Sequence, residues 1–577
     1  MKKTGAWLVR YALEHIGVKY TFGIPGVHNT EIYDELNRSE LIRPVLVTHE
    51  GAAAFMADAV SRTSGHIGTM LIVPAAGVTH AASGIGEAFL DGIPLLVICG
   101  GIRNDLDKEY QLHDVDQHAL LAPITKKTYR IESHDEIVPT IFEAYQTAIS
   151  GEPGPVFVEV PVNIQLFPGE VNEPEPFVAS IEPTEPDLQA IKMAASALYE
   201  AEKPGLFVGW GAVDAAETTS RIAEFLNAPV STTLQGLSAF PGNHPLHTGM
   251  SFGEAAVPAA TNAFKDCDCM LAVATRFSEI GTASFGVEPP QNLIHVDINP
   301  DVFSANYPAA VTIEGDAGVV MKALLRELQA LGEPKPGHGA IASAIEIDKA
   351  AYLDEWYEHD SKDRVNPARF FTELRKQLDD DAIVAVDDGN HTFLAAELMP
   401  IHVARGFISP TDFNCMGYCT PAVTAVKLAN PDKQVVGIIG DGAFLMTGLE
   451  TLTAASLGVG GVYFVFNDGE LSQISQAQEI PYNRKTCSVL HGLKLEGVAQ
   501  ATGCGFIAIN GNTDCETGIR AALTLAAQDK PVIVDVNIDY SKRTRFTKGI
   551  VKTNLGRFTT GNKFRFIGRA LLRKLTG

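Results

Sequence analysis

The sequence predicts an α/β protein built from three doubly wound parallel-sheet domains. Three observations carry that expectation: a length of 577 residues, short unbroken apolar runs separated by helical patterns, and two interruptions rich in proline and charge. A single hydrophobic core stops growing at about 250–300 residues, so a chain of this length divides. Strands covered on both faces read as continuous Val, Ile and Leu, and the helices between them cover a parallel sheet.

The elements follow in order. Trp7, Leu8, Tyr11, Ala12 and His15-Ile16 recur at helical spacing, which predicts an opening helix and not a signal peptide. Apolar runs at 68–73, 94–99 and 156–160 predict strands of a first domain. Runs at 206–209 and 270–274 belong to a second, and runs at 434–439, 462–466 and 532–536 to a third. Residues 166–187, rich in Pro and Glu, and residues 331–367, opening Leu331-Gly332-Glu333-Pro334-Lys335-Pro336-Gly337, read as linkers. The expected units are therefore residues 1–167, 187–332 and 366–540, followed by a tail, 541–577.

Charge sets the tail apart. The chain carries a net −24, which argues against nucleic acid as a partner, because phosphate backbones bind basic surfaces. Residues 541–577 nevertheless hold eleven Lys or Arg and no Asp or Glu, leaving the first 540 residues with 34 basic against 69 acidic side chains, a balance of −35. Phe564, Ile567, Leu571 and Leu575 fall at helical spacing among these cations. Such a helix suits either an anionic membrane or the acidic body of its own chain. The eight cysteines form no Cys-x-x-Cys pair and predict free thiols in a reducing cytoplasm. No stretch has the 18 or so apolar residues of a membrane span.

The chemical signal is sharpest in the third domain. Gly440-Asp441-Gly442 follows the run 434–439 and precedes a helical segment, and Asn467 ends the next run. Two neighbouring strand ends then present Asp441 and Asn467 at one carboxyl edge, where ligands of open α/β sheets bind. Carboxylate and amide oxygens are hard ligands suited to magnesium shared with phosphates. Gly-Asp-Gly alone is usually only a turn; the strand, helix and spaced Asn make it specific.

With that spacing the chain resembles thiamine-diphosphate enzymes, acetolactate synthases in particular. The resemblance implies a pyrimidine-binding, a central Rossmann-like and a diphosphate-binding domain, and Mg2+ held by Asp441, Asn467 and the main-chain carbonyl of Gly469. The family usually has a second Asn where Asp468 stands. Gly440, Gly442 and Ala443 would approach the cofactor closely. Gly389-Asn390-His391 resembles a diphosphate-contacting Gly-Gln-His, and Asn414-Cys415-Met416-Gly417-Tyr418 resembles Gly-Thr-Met-Gly-Phe. There Met416 would hold the cofactor bent and the Asn414 carbonyl would receive its 4′-amino group.

In the first domain Glu50, within Thr48-His49-Glu50-Gly51-Ala52, stands at the family's glutamate that hydrogen-bonds the pyrimidine. Pro25 and Gly26 match the opening cofactor loop, and Gly77 lies in Ala75-Ala76-Gly77-Val78-Thr79-His80, where many relatives read Gly-Pro-Gly-Ala-Thr-Asn. Gln111 resembles a substrate-side glutamine. His28 and His113 are candidates for proton transfer, since imidazole titrates near neutrality; the plain alternative is a hydrogen-bonded histidine.

The resemblance implies decarboxylation of a 2-oxo acid, with carboligation to a second carbonyl compound as the leading outcome. A simple decarboxylase yielding an aldehyde is the alternative, and guanidino-oxopentanoate decarboxylase shares the opening loop. A silent relative that binds a nucleotide or partner is a reading of another class, opposed by intact Glu50, Asp441 and Asn467. Biosynthetic acetohydroxyacid synthases carry a tryptophan where Ala477 stands, a departure from the biosynthetic pattern. The resemblance also implies a homodimer or homotetramer with Glu50 and Asp441 contributed by different subunits. Some relatives bind FAD in the central domain. Here their Arg-Phe-Asp-Asp-Arg reads Arg276-Phe277-Ser278-Glu279-Ile280, and their Gly-Met-His-Gly reads Gly249-Met250-Ser251-Phe252-Gly253, so FAD is a cofactor these departures weigh against.

Overall fold

The apolar runs become parallel strands with both faces buried, as their composition requires. The computed structural model describes residues 1–178 and 185–576. Its main sheets are three, each of six strands, all parallel. The first orders its strands Arg43–Leu46, Tyr20–Gly23, Gly68–Ile72, Leu95–Gly101, Pro155–Pro161, Lys127–Arg130. The third runs Phe407–Ile408, Ile383–Val386, Val435–Gly440, Val462–Phe466, Val532–Val536, Gly505–Ile509. Numbered within their own domains, both have the order 2-1-3-4-6-5. The central sheet runs His247–Met250, Val230–Thr232, Pro204–Val208, Cys269–Val273, Asn292–Asp297, Val311–Glu314, the order 3-2-1-4-5-6.

Strand order decides where ligands can sit. Crevices open where the chain reverses its winding direction across a parallel sheet. In the first and third sheets that point lies between the first and third strands of each domain. It is flanked by the loops after Gly23 and Ile72 in one case, and by those after Val386 and Gly440 in the other.

The first and third domains pack through the helices Glu50–Thr63 and Cys419–Ala429. Small residues permit the approach: Ala52, Ala53, Ala54, Ala57, Ala422 and Ala425 are all buried there. A buried polar cluster ties the same surfaces. Arg62 donates to Asp58 (2.6 Å) and Asp91 (2.8 Å), and the Tyr418 hydroxyl donates to Asp58 at 2.6 Å. Glu87 accepts the N–H groups of Thr411 and Cys415. Removing one member would strand a buried charge, which costs about 3–5 kcal/mol.

Both expected linkers contain regular structure. Residues 331–367 hold the helix His338–Tyr357. Its Tyr352 and Trp356 are buried in a core shared with the third sheet, so this segment is a packed element and not a free tether. In the Pro- and Glu-rich segment, Pro168–Glu170 pairs antiparallel with Lys2–Thr4, and Phe177 packs on Phe142 and Tyr145. Residues 179–184 of that segment lie outside the described residues.

The tail forms two helices, Arg545–Arg557 and Thr560–Thr576. Phe546 is buried, Lys552 pairs with Glu254, and Arg545 pairs with Glu355 at 2.7 Å. The second helix rests on Ser472–Tyr482, with Arg573 donating to the Pro481 carbonyl. Of its expected apolar stripe, the side chains of Phe564, Ile567 and Leu575 lie outside the described residues; Leu571 is exposed. No helix among the described residues is long and apolar enough to cross a membrane.

Candidate functional site

At the reversal point of the third sheet, Asp441 joins two loops. Its Oδ1 accepts the Gly442 N–H and its Oδ2 accepts the Gly469 N–H, both at 2.8 Å. The loops following Val435–Gly440 and Val462–Phe466 are thereby held together by one carboxylate. Burial raises the Asp441 pKa, and the main-chain donors work against that rise. Gly469 has φ +78°, a left-handed conformation that glycine adopts without strain.

Asn467 donates its amide nitrogen to Asp535 Oδ1 at 3.1 Å, which fixes the amide and leaves its oxygen for another partner. The Gly469 carbonyl accepts the Leu490 N–H at 2.9 Å and keeps a second lone pair. Asp468, at the family's second Asn, accepts the Ser472 hydroxyl; burial pushes it up to about 6, and its Oδ1 is buried without a partner. Among the described residues no cluster of three or more His, Cys, Asp or Glu is placed to hold a metal. The expected set contains one carboxylate, one amide oxygen and one carbonyl, so it would form no such cluster. These oxygen donors fit Mg2+, which prefers one or two carboxylates plus phosphate oxygens.

The loop after Ile383–Val386 supplies the opposite wall. Asp387 is fully buried and accepts the N–H groups of Asp388, Gly417 and Cys419, binding this loop to the segment around Met416; burial pushes it up to about 7. Gly389 has φ +150°, and a Cβ there would stand 2.6 Å from the His391 ring. His391 is buried and held near 3, hence neutral, because burial disfavours the imidazolium. Its Nδ1 is 3.5 Å from the Tyr540 hydroxyl and its Nε2 has no partner. That orphaned atom fits a phosphate oxygen.

Asn414 has φ +66°, tolerated by Asn where the family motif has Gly, and its side chain hydrogen-bonds Asp388. Burial pushes Asp388 up to about 6.

These groups enclose a cavity of about 170 Å3 lined by Gly389, Asn390, His391, Asn414, Met416, Gly440, Asp441, Gly442 and Ala443. Every third-domain cofactor residue expected from the sequence is thus brought to one place. Asp388, Asp468, Leu471, Gln473 and Tyr540 also line it, and sequence reasoning gave none of them a cofactor role. Tyr540 carried a signal: it follows the strand Val532–Val536 on the same carboxyl edge.

The first sheet's reversal point gathers a second set. Glu50 is buried at the start of the helix Glu50–Thr63, and His49 caps that helix by accepting the Gly51 N–H. Glu50 Oε2 is 3.0 Å from His80 Nδ1. A Cβ on Gly77 would lie 3.0 Å from Val73 and 3.5 Å from Glu50 Oε1, and one on Gly26 would lie 2.6 Å from Val73. Gly26 and Gly77 therefore both approach Val73, with Glu50 beside Gly77, while Pro25 is exposed on the same loop as Gly26.

His28 is buried, edge-on to His113 with ring centroids 5.0 Å apart. Burial, then His113, lowers its pKa. Gln111 is not brought to this group. Its amide nitrogen donates to the carbonyls of Arg103 and Lys108, closing its own loop.

The two sets do not meet within one chain. No first-domain residue lines the third-domain cavity. Both are flanked by exposed apolar side chains: Leu445, Met446, Leu449 and Leu452 beyond Gly-Asp-Gly, and Val27 beside Gly26.

Comparison with known proteins shows the family. The thiamine pyrophosphate enzyme N-terminal TPP binding domain matches residues 3–120, the central domain 191–324, and the C-terminal TPP binding domain 387–536. A probable acetolactate synthase large subunit of Methanocaldococcus jannaschii is 31% identical over 553 residues, 93% of this chain and 92% of the relative. The acetolactate synthase large subunit of Haemophilus influenzae is 30% identical, covering 94% and 96%. The isozyme 3 large subunit of Escherichia coli is 30% identical, covering 93% and 95%. With all three domain models matched in order and such relatives aligned along nearly the whole chain, the protein belongs to the thiamine pyrophosphate enzymes and is acetolactate synthase-like.

Proposed function

We propose that the chain decarboxylates a 2-oxo acid and joins the remaining fragment to a second carbonyl compound, using thiamine diphosphate and Mg2+. The observation that carries this reading is that Asp441 and the unpartnered His391 Nε2 line one cavity, with Asp441 fastened to the Gly469 loop that follows Asn467. Asp441, the Asn467 amide oxygen and the Gly469 carbonyl would hold the metal. Gly389, Asn390 and neutral His391 would hold the diphosphate by hydrogen bonds rather than by charge. Met416 would support the cofactor from below, and the Asn414 carbonyl would accept its amino group. When bound, thiamine diphosphate supplies the carbon nucleophile and electron sink.

Glu50 would hydrogen-bond the pyrimidine ring, positioned by its helix start and by His80. Because it lies outside the third-domain cavity, the active unit is a homodimer in which one chain's Glu50 faces the other's Asp441. Leu445, Met446, Leu449 and Leu452 form an exposed apolar face suited to burial in that contact. Buried His28, edge-on to His113, is the candidate for proton transfer in the first domain, and protonation rather than carboligation would give an aldehyde.

Incubation with Mg2+, thiamine diphosphate and pyruvate, measuring carbon dioxide and acetolactate, tests the reading. Acetolactate supports it. Carbon dioxide with acetaldehyde supports the decarboxylase alternative. Absence of cofactor binding overturns both.

A further inference from the structure

The central sheet has a crevice of its own. Its winding reverses between Pro204–Val208 and Cys269–Val273. The loops leaving those strands open onto a cavity of about 290 Å3, closed by Asp91 and Glu152 of the first domain and Arg405 and Asp412 of the third. FAD-binding relatives use this domain. A crevice built for FAD must receive a diphosphate, which calls for uncommitted cations or free N–H groups at a helix start.

Here both guanidinium groups and the start of the one long helix at the crevice are engaged by the chain's own carboxylates. Arg276 lies 3.5 Å from Glu152 and 3.3 Å from Asp412. Arg405 makes a two-pronged pair with Asp214, at 2.9 and 2.6 Å. The helix Ala317–Leu331 begins at the crevice, but Asp316 Oδ1 accepts its Val319 N–H at 3.0 Å and caps it. The lining thus sets six carboxylates, those of Asp91, Glu152, Asp214, Asp297, Asp316 and Asp412, against two guanidinium groups. Asp297 at the sheet edge is pushed up to about 6 by burial, with Glu152 adding to the rise, so further negative charge is unwelcome there.

Size points the same way. About 290 Å3 sits at the lower end of the range of about 300–1,000 Å3 that holds one drug-sized ligand. FAD links two such units, a flavin and an adenosine, through the diphosphate.

We infer that the central crevice of this chain excludes FAD, and that the holoenzyme carries no flavin. The inference does not rest on the reaction proposed above, since it concerns a different domain and is read without turnover.

The test is purification of the full chain, its visible absorption spectrum, and calorimetric titration with FAD and with ADP. No flavin absorbance and no binding of either ligand is the expected result. The double variant Glu152→Gln, Asp214→Asn removes one carboxylate from each guanidinium and should raise ADP affinity by about tenfold or more. Stoichiometric flavin in the purified chain, or saturable FAD binding, would overturn the inference. A double variant that keeps the native circular dichroism and gains no ADP affinity would overturn the carboxylates as the ground of that exclusion. Should that variant fail to fold, the native-chain titration decides alone.

Discussion

Asp441 and Gly469 are joined at 2.8 Å by a hydrogen bond from the glycine N–H to the carboxylate, between the loops that leave the neighbouring strands Val435–Gly440 and Val462–Phe466. The bond gives the Gly-Asp-Gly loop and the Asn467 loop one geometry before any ligand arrives. Asp441 therefore has two separable roles, loop fastening and charge. Asp441→Asn keeps an oxygen acceptor but loses the charge. The expected outcome is a loss of Mg2+-dependent thiamine diphosphate affinity of about two orders of magnitude, with little change in the melting temperature of the cofactor-free chain. Calorimetry with and without Mg2+ measures the first, and thermal unfolding the second. Undiminished Mg2+-dependent affinity would remove Asp441 from the metal site.

Asp388 should make cofactor binding depend on pH. Its carboxyl is pushed up to about 6 by burial, so it is neutral below that pH and charged above it. A diphosphate in the same cavity favours the neutral form, so binding takes up a proton. Affinity at saturating Mg2+ should fall as pH rises from about 6 to about 8, and Asp388→Asn should flatten the profile over that window. Ionisation of Asp441 and Asp468 opposes this trend in both proteins, so the difference between the two profiles is the quantity to measure. Parallel profiles would exclude Asp388 as the titrating group.

Much of this architecture was legible because parallel strands buried on both faces leave continuous apolar runs, as in Val435–Gly440 and Val462–Phe466. The third-domain half of the site was legible because its residues sit at strand ends of fixed spacing. The helix His338–Tyr357 was not. Pro334, Pro336 and Gly337 announce a linker, and its buried face consists of only a few residues, among them Ile345, Tyr352 and Trp356. The edge strand Phe407–Ile408 is too short to show a pattern. Asp387 was missed because its function is to fasten three main-chain N–H groups, a role that leaves no motif. Gln111 was placed by resemblance alone, and its amide is committed to carbonyls of its own loop. The common strand order of the first and third domains leaves no short repeat, since topology survives without side-chain identity.

Glu397 ties the basic tail to the third domain. Its carboxylate accepts the N–H groups of Arg545 (3.2 Å) and Phe546 (2.8 Å), the first turn of the helix Arg545–Arg557, and the Tyr352 hydroxyl. Burial pushes Glu397 up to about 7. A carboxyl raised on folding contributes most below its unfolded pKa, and the contribution is lost as pH rises toward the folded value. Tail docking should therefore weaken between about pH 5 and about pH 7. Glu397→Ala should cost about 1–2 kcal/mol at this helix start and expose Arg545 and Lys548 to trypsin. Glu397→Gln should keep the tail docked and remove the pH dependence of its cleavage rate. Equal cleavage of native and Glu397→Ala chains would show that the tail is held elsewhere.

Glu50 does not line the cavity that Asp441 lines in the same chain. If each active site takes Glu50 from one subunit and Asp441 from the other, Glu50→Gln and Asp441→Asn are each inactive alone but complement when mixed. A mixed dimer then has one site carrying both changes and one carrying neither. Random exchange of equal amounts makes half the dimers mixed, and half their sites intact, so activity should recover to roughly a quarter of native. Carbon dioxide release after subunit exchange at low protein concentration measures this. A single-chain site would give no recovery at any mixing ratio, because every chain would carry one broken half. Leu449→Asp, which places a charge on the exposed apolar face, should prevent the exchange from restoring activity, with the loss of dimer visible by light scattering.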